Sequence, residues 1–162
     1  MLVKKSTGRA PFDYDSAVEE ALCFGWIDSR ARSLDAERSM LWMAPRKAGS
    51  GWSKSNKERV VRLVAGKRMA AAGLAKIAAA KKDGSWTSLD AVEAGVIPAD
   101  LGAALDAKKK ARTGFEAFTP SRRRMILHWI QSAKRPETRA KRIAETARLA
   151  AIGIPVNLWP KQ

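Results

Sequence analysis

Three prolines punctuate the second half of the chain and limit what that half can become. Pro98, Pro120 and Pro136 each stand at or near the head of a run whose apolar residues recur at helical spacing. A proline there costs a helix nothing, because the N–H it lacks is one that a helix start leaves unpaired anyway, and its fixed φ is already helical. The pattern predicts helices over about 98–107, 108–118, 120–133 and 136–152, hence a small all-α bundle.

The first half mixes periods. A helix is expected from an Asp13 or Asp15 cap to Gly25, with Tyr14, Ala17, Val18, Ala21 and Leu22 on one face, Glu19 and Glu20 opposite, and Gly25 just past its end. In "WIDSRARSLDAERSMLWMAPR", Arg30, Arg32 and Leu34 alternate with Ser29, Ala31 and Ser33. That predicts a hairpin turning near Asp35 to Glu37. The helix formers between Ala36 and Met43 leave a helix open there. "GWSKSNKERVVRLVAG" carries a capping box from Ser55 to Glu58 ahead of Val60, Val61 and Val64, ending at Gly66. A third helix is expected over about 70–82, with Leu74 and Ile77 inward and a frayed start, since Ala70 and Ala71 cannot cap. The glycine and serine breaks of 85–97 make the best internal boundary, separating a helix-hairpin-helix region over 1–86 from a helical domain over 97–154. The fold class is mainly α, α+β in strict terms.

At 162 residues and 46% hydrophobic, the chain suits one compact domain or two small subdomains sharing a core. One cysteine, Cys23, permits neither an intrachain disulfide nor a two-cysteine metal site. No apolar stretch reaches the roughly 18 residues of a membrane span, and the first residues hold no apolar run of signal-peptide length, so a cytoplasmic location is expected. The formal charge of +15 implies a partner rich in negative charge: a polyanion such as nucleic acid, an anionic lipid surface or an acidic protein. The excess is concentrated, with thirteen lysines and arginines against three glutamates between Lys108 and Arg148, a net of +10.

Three stretches, "CFGWIDS" (23–29), "MAPRKAGSGWSKSNKERVVRL" (43–63) and "WIQSAKRPETRAKRI" (129–143), resemble in order and spacing the bacterial YdeI/OmpD-associated, or bacteriocin-protection, proteins. The third resembles the signature of that family's small C-terminal helical domain, and the resemblance extends over nearly the whole chain. It implies tolerance of cationic antimicrobial peptides through a protein partner, association with an outer-membrane porin, and an envelope location. A +15 surface would itself repel cationic peptides. Family members typically have a further segment before the position matching "VKKSTGR", and a threonine and a proline where this chain has "RMAAAGL".

No zinc, EF-hand, P-loop, dinucleotide or nucleophile-elbow motif is present, so no metal and no cofactor are expected, and an enzyme would have to work with carboxylates and arginines alone. Cys23 reads as a structural thiol and His128 as a structural or exposed histidine. A catalytic pocket, if any, would lie at "GWIDSRAR", with Trp26, Asp28, Arg30 and Arg32; the plainer alternative has Asp28 capping or pairing with an arginine while Trp26 and Ile27 fill the core. Trp42 and Trp52, flanking Arg46, Lys47 and Lys54, have the composition of a surface that stacks nucleobases. Trp26 and Trp129 are expected in the core, with Trp42, Trp52, Trp86 and Trp159 undecided.

Two basic groups remain. On the last helix, Ala140, Ile143, Ala144, Ala147 and Ala151 are expected to pack while Arg135, Arg139 and Arg142 line another face. On the helix before it, Arg122, Arg123 and Arg124 occupy the first turn, where cations oppose the helix dipole and a bound anion would reverse the penalty. The N–H groups of Ser121, Arg122 and Arg123 would hold a sulfate or phosphate unless Thr119 caps the turn first. The leading functional expectation is a non-enzymatic basic protein that binds a polyanion, nucleic acid in particular.

Overall fold

The computed structural model describes residues 2–3 and 13–156, and the chain divides into two compact units, Met1–Leu89 and Asp90–Gln162. Each has its own core cluster. Among the described residues, no helix is long and apolar enough to cross a membrane.

The first unit runs β1 (Leu2–Val3), α1 (Tyr14–Cys23), β2 (Trp26–Ser33), β3 (Arg38–Pro45), α2 (Lys54–Ala65) and α3 (Ala71–Lys82). Asp13 caps α1 by accepting the Ser16 N–H at 2.9 Å, and Gly25, at φ +75, makes the left-handed exit toward β2. Ala17, Val18, Leu22 and Cys23 are buried, while Tyr14, expected on the same face, is exposed at the open first turn.

The hairpin forms as expected, and the helix considered for 36–43 does not. Asp35 holds the turn by accepting the N–H groups of Glu37 and Arg38 at 3.0 and 2.7 Å, after which the strands pair antiparallel from Ser33↔Ser39 to Trp26↔Pro45. A register shift between Asp28 and Arg30 leaves Ser29 as the extra residue. The short β1 pairs with the other side of β3, giving a sheet of order β1-β3-β2.

In α2 the cap is Ser53, two residues before the expected Ser55: its hydroxyl accepts the Asn56 N–H at 3.3 Å, and Ser55 Oγ lies 3.1 Å from that hydroxyl. The buried stripe is Asn56, Val60 and Leu63, leaving Val61 and Val64 exposed. In α3, Leu74 is also exposed, at 46%, in place of the expected inward position. Gly73 explains this. It meets the Cys23 carbonyl so closely that a Cβ would overlap it, so the face of α3 turned to α1 is Gly73, Ile77 and Ala80. The uncapped start of α3 is held from outside, the Ala70 N–H donating to the Cys23 carbonyl at 3.1 Å. Asp15–Arg59 (2.6 Å) and Glu19–Arg62 (3.0 Å) join α1 to α2 around a core of Val18, Leu22, Trp52, Val60, Leu63 and Ile77.

The second unit contains α4 (Asp90–Glu93), α5 (Ala99–Asp106), α6 (Ala111–Glu116), α7 (Pro120–Gln131) and α8 (Pro136–Ala150). Pro120 and Pro136 open their helices, and Pro98 caps α5. Helix α6 begins at 111 instead of 108, because Lys110 adopts a left-handed conformation, φ 67, and ends the preceding turn. Its Gly114 lies against the Ala150 carbonyl with no room for a Cβ, which lets α6 and α8 pack at backbone distance. The buried stripe of α8 is Ile143, Thr146, Ala147 and Ala150; Ala140 and Ala144 face solvent. Thr146 is tolerated in the core because its hydroxyl donates to the Arg142 carbonyl at 2.7 Å. Leu101, Leu105, Phe115, Ile126 and Ile130 complete the cluster.

The tryptophans depart from expectation. Trp52 is the buried one, at 1% exposure, Trp86 and Trp129 are half-buried, and Trp26 (42%) and Trp42 (50%) stand exposed on the hairpin. Trp159 lies outside the described residues.

Candidate functional site

The cationic side chains of the second unit fall into two groups, those already engaged and those left over. Arg139 presents Nε and Nη2 to the Asp100 carboxylate at 2.6 and 2.9 Å, tying α8 to α5. Arg142 stacks on the Trp129 ring at 4.8 Å and donates through Nη1 to the Trp129 carbonyl and to Ser132 Oγ, so it serves the C-terminal end of α7, where cations are favoured. Of the expected stripe only Arg135, which precedes α8, is exposed and without an ion pair among the described residues. Arg112 and Arg148 are likewise taken up, by Asp106 and Glu145.

At the start of α7, Thr119 Oγ1 accepts the Arg122 N–H at 3.3 Å, and the Arg123 N–H reaches the Thr119 carbonyl at 3.0 Å. Two of the three amides expected to hold an anion are therefore occupied within the helix, leaving Ser121. The side chains remain available: Arg122 and Arg123 are half-buried, Arg124 is exposed, and none has an ion-pair partner among the described residues. Arg123 and Arg124 line a surface depression of about 170 Å³ with Pro120, Gly95 and Glu93.

In the first unit, Asp28 accepts a 2.7 Å hydrogen bond from the Tyr14 hydroxyl instead of pairing with Arg30 or Arg32, which are exposed on the hairpin. Although much of the Tyr14 ring is exposed, partial burial of its hydroxyl, and then the neighbouring Asp28 carboxylate, push that hydroxyl up to about 12, so it stays a donor at neutral pH. Trp26 is exposed and Asp28 half-buried, so the expected pocket residues do not share one environment. Cys23 is buried, and burial raises its thiol above the ordinary value.

The basic aromatic stretch splits in two. Lys47, Lys54 and Trp42 are exposed, whereas Arg46, grouped with them on the sequence, is 3% exposed and lies over the Trp52 ring with Cζ 3.8 Å from its centroid. Arg46 Nη1 donates to the Gly51 carbonyl at 2.9 Å, fixing the 46–52 loop, and Gly49 N–H donates to Asp83 at 3.2 Å. The charge pattern of the stretch does not mark Arg46 as buried. The signal was the neighbouring glycines and tryptophan of "RKAGSGW", which allow the chain to double back over a ring.

Comparison with known proteins agrees with two separate units. Residues 94–153 match the family described as Bacteriocin-protection, YdeI or OmpD-Associated, so the resemblance read from "WIQSAKRPETRAKRI" is present in the helical unit. Residues 1–76 match a different family, a domain of unknown function (DUF8412), so the YdeI/OmpD-associated match does not extend over nearly the whole chain as expected. No curated protein and no solved structure matches the chain.

Proposed function

We propose that this chain is a basic, non-enzymatic binding protein whose ligand is a polyanion, with nucleic acid as the ligand class. One observation carries the reading. In the second unit Lys108, Lys109, Lys110, Arg122, Arg123, Arg124, Lys134, Arg135 and Lys141 have no ion-pair partner among the described residues, although seven described arginines of the same chain have each found a carboxylate. Unpaired cations at this density attract counterions, and a polyanion that displaces them gains the entropy of their release. Contacts of this kind read charge and carry little sequence information.

Fluorescence anisotropy with a labelled duplex and a labelled single strand tests this. Both should bind at low salt, with log K falling steeply and linearly against log salt, and scrambling the sequence should change little. Affinity unchanged between low and physiological salt, or no binding at low salt, would remove the reading.

A second reading draws on the match over 94–153: protection against an antimicrobial peptide, exercised through an acidic protein partner. A bacteriocin-tolerance assay in cells with and without this chain distinguishes the two, since that reading requires a phenotype and no nucleic-acid affinity. Catalysis at Asp28 with Arg30 and Arg32 has no comparable support, because Asp28 engages Tyr14 and neither arginine.

A further inference from the structure

Among the described residues, the buried side-chain nitrogens and oxygens without a hydrogen-bond partner are three, and they belong to two stacked side chains: Arg46 Nε, Arg46 Nη2 and Trp52 Nε1. Both side chains line one cavity of about 50 Å³ between the 46–52 loop and the last turns of α3. An orphaned buried donor is costly, and a buried guanidinium more so, because it keeps its charge at any physiological pH.

Which atoms are orphaned matters. Nη1 is used, by the Gly51 carbonyl at 2.9 Å and the Ser50 carbonyl at 3.5 Å. Nε and Nη2 form the opposite edge, the two parallel N–H groups whose spacing matches the two oxygens of a carboxylate or phosphate. This chain uses that edge repeatedly. Arg38, Arg112, Arg139 and Arg148 each present Nε and Nη2 to one carboxylate, of Asp35, Asp106, Asp100 and Glu145, at distances between 2.6 and 2.9 Å. Arg46 is far more deeply buried than these four, and its edge meets no anion of the protein.

We propose that the cavity is a binding site for one small oxyanion, a carboxylate or phosphate group, seated against the Nε and Nη2 edge of Arg46. Lys47 and Lys76 add positive charge to its lining. Asp83 is the carboxylate on the same wall, and it is occupied by the Gly49 and Ser85 N–H groups at 3.2 and 2.9 Å. Trp52 supplies the platform beneath the guanidinium and a further donor, Nε1. The space is large enough for a small oxyanion group, but Nε and Nη2 expose almost no surface to it, so the group reaches them by a small displacement of the 46–52 loop. Water would complete the hydrogen bonds but leave the charge opposed only by the Asp28 carboxylate, which lies beyond ion-pair distance, so an anion in contact with the fork fits the site better. The site lies in the first unit and is independent of the polyanion surface proposed for the second.

Nitrogen-proton NMR on the intact protein tests it, because each arginine Nε–H and tryptophan Nε1–H gives its own signal. Acetate and inorganic phosphate are titrated separately, with sodium chloride at matched ionic strength as the reference. The Arg46 Nε–H signal should move in a saturable way with one or both probes, the Trp52 Nε1–H signal should follow, and exposed Arg30 and Arg32 should show only the chloride response. A shift with acetate alone identifies a carboxylate site, with phosphate alone a phosphate site. Arg46→Lys, which keeps the charge and loses the fork, should abolish the rise in Tm that the effective probe gives over chloride, and Arg30→Lys should retain it. If neither probe moves the Arg46 signal beyond the chloride response, the cavity is merely hydrated and the proposal fails, whether or not Arg46→Lys folds.

Discussion

Cys23 shows how much a single residue's surroundings decide. A thiol attacks as thiolate, so its reactivity follows from what stabilises that charge. Here burial raises the thiol, Glu20 adds to the rise, and Arg68 only partly opposes them. At neutral pH the native protein should react with a thiol reagent more slowly than free cysteine does, and the rate should climb to the free value in denaturant. A native rate faster than that of free cysteine would reopen a nucleophilic role. The sequence supported this reading because no cation flanks Cys23 closely in the chain. It did not support a reading of Arg46 or Trp26. "PRKAG" looks like solvated loop and "GWID" like core, yet Arg46 is 3% exposed and Trp26 42%. Both depend on where the 46–52 loop and the hairpin lie after folding, and a linear pattern carries no term for that.

Helix starts were legible where one residue had a role no neighbour could fill. Pro120 and Pro136 are such cases. They were illegible where two candidates competed: in "WSKSNK" both serines can cap, and the burial of Trp52 immediately before Ser53 coincides with the helix starting at the first. The stripe on α8 was misread for a related reason, since Gly114 on α6 and the Ala150 carbonyl, not α8 alone, fix which face turns inward. Between elements, Arg139 to Asp100 joins α8 to α5, and it has a pH signature. The hydrogen bonds from Arg139 hold the Asp100 carboxyl below its ordinary value. A carboxylate depressed in the folded state contributes stability above the unfolded value, near about 4, and that stability is lost as pH falls through the folded value. Asp100→Asn should therefore lower stability at neutral pH by roughly 0.5 kcal/mol, the size of a largely exposed pair. Once the pH has fallen below the folded value the variant and the parent should melt together. Thermal melts across this range check it, and an undiminished gap in acid would mean that the asparagine disturbs packing instead of charge.

For the molecule as a whole, the +15 charge is readable from composition, but which cations remain unpaired is not, because it depends on carboxylates such as Asp100 reaching across to another helix. The group at Arg122, Arg123 and Arg124 is where the charge and the fold most nearly conflict. Three cations sit in the first turn of α7, near the positive end of its dipole, and Thr119 already supplies the cap. Each such cation costs a few tenths of a kcal/mol, a penalty that a bound polyanion would reverse. Replacing all three with alanine should leave thermal stability without anions equal to the parent's or slightly higher, since no ion pair among the described residues is lost and alanine favours helix. The same variant should bind nucleic acid more weakly, and the slope of log K against log salt should fall by about 0.9 for each phosphate contact removed. Melting curves and anisotropy titrations on one preparation separate the outcomes. A variant that binds as tightly as the parent makes this turn a solvated face and moves the interface to the lysines at 108–110, and one that unfolds makes the arginines structural in spite of their missing partners.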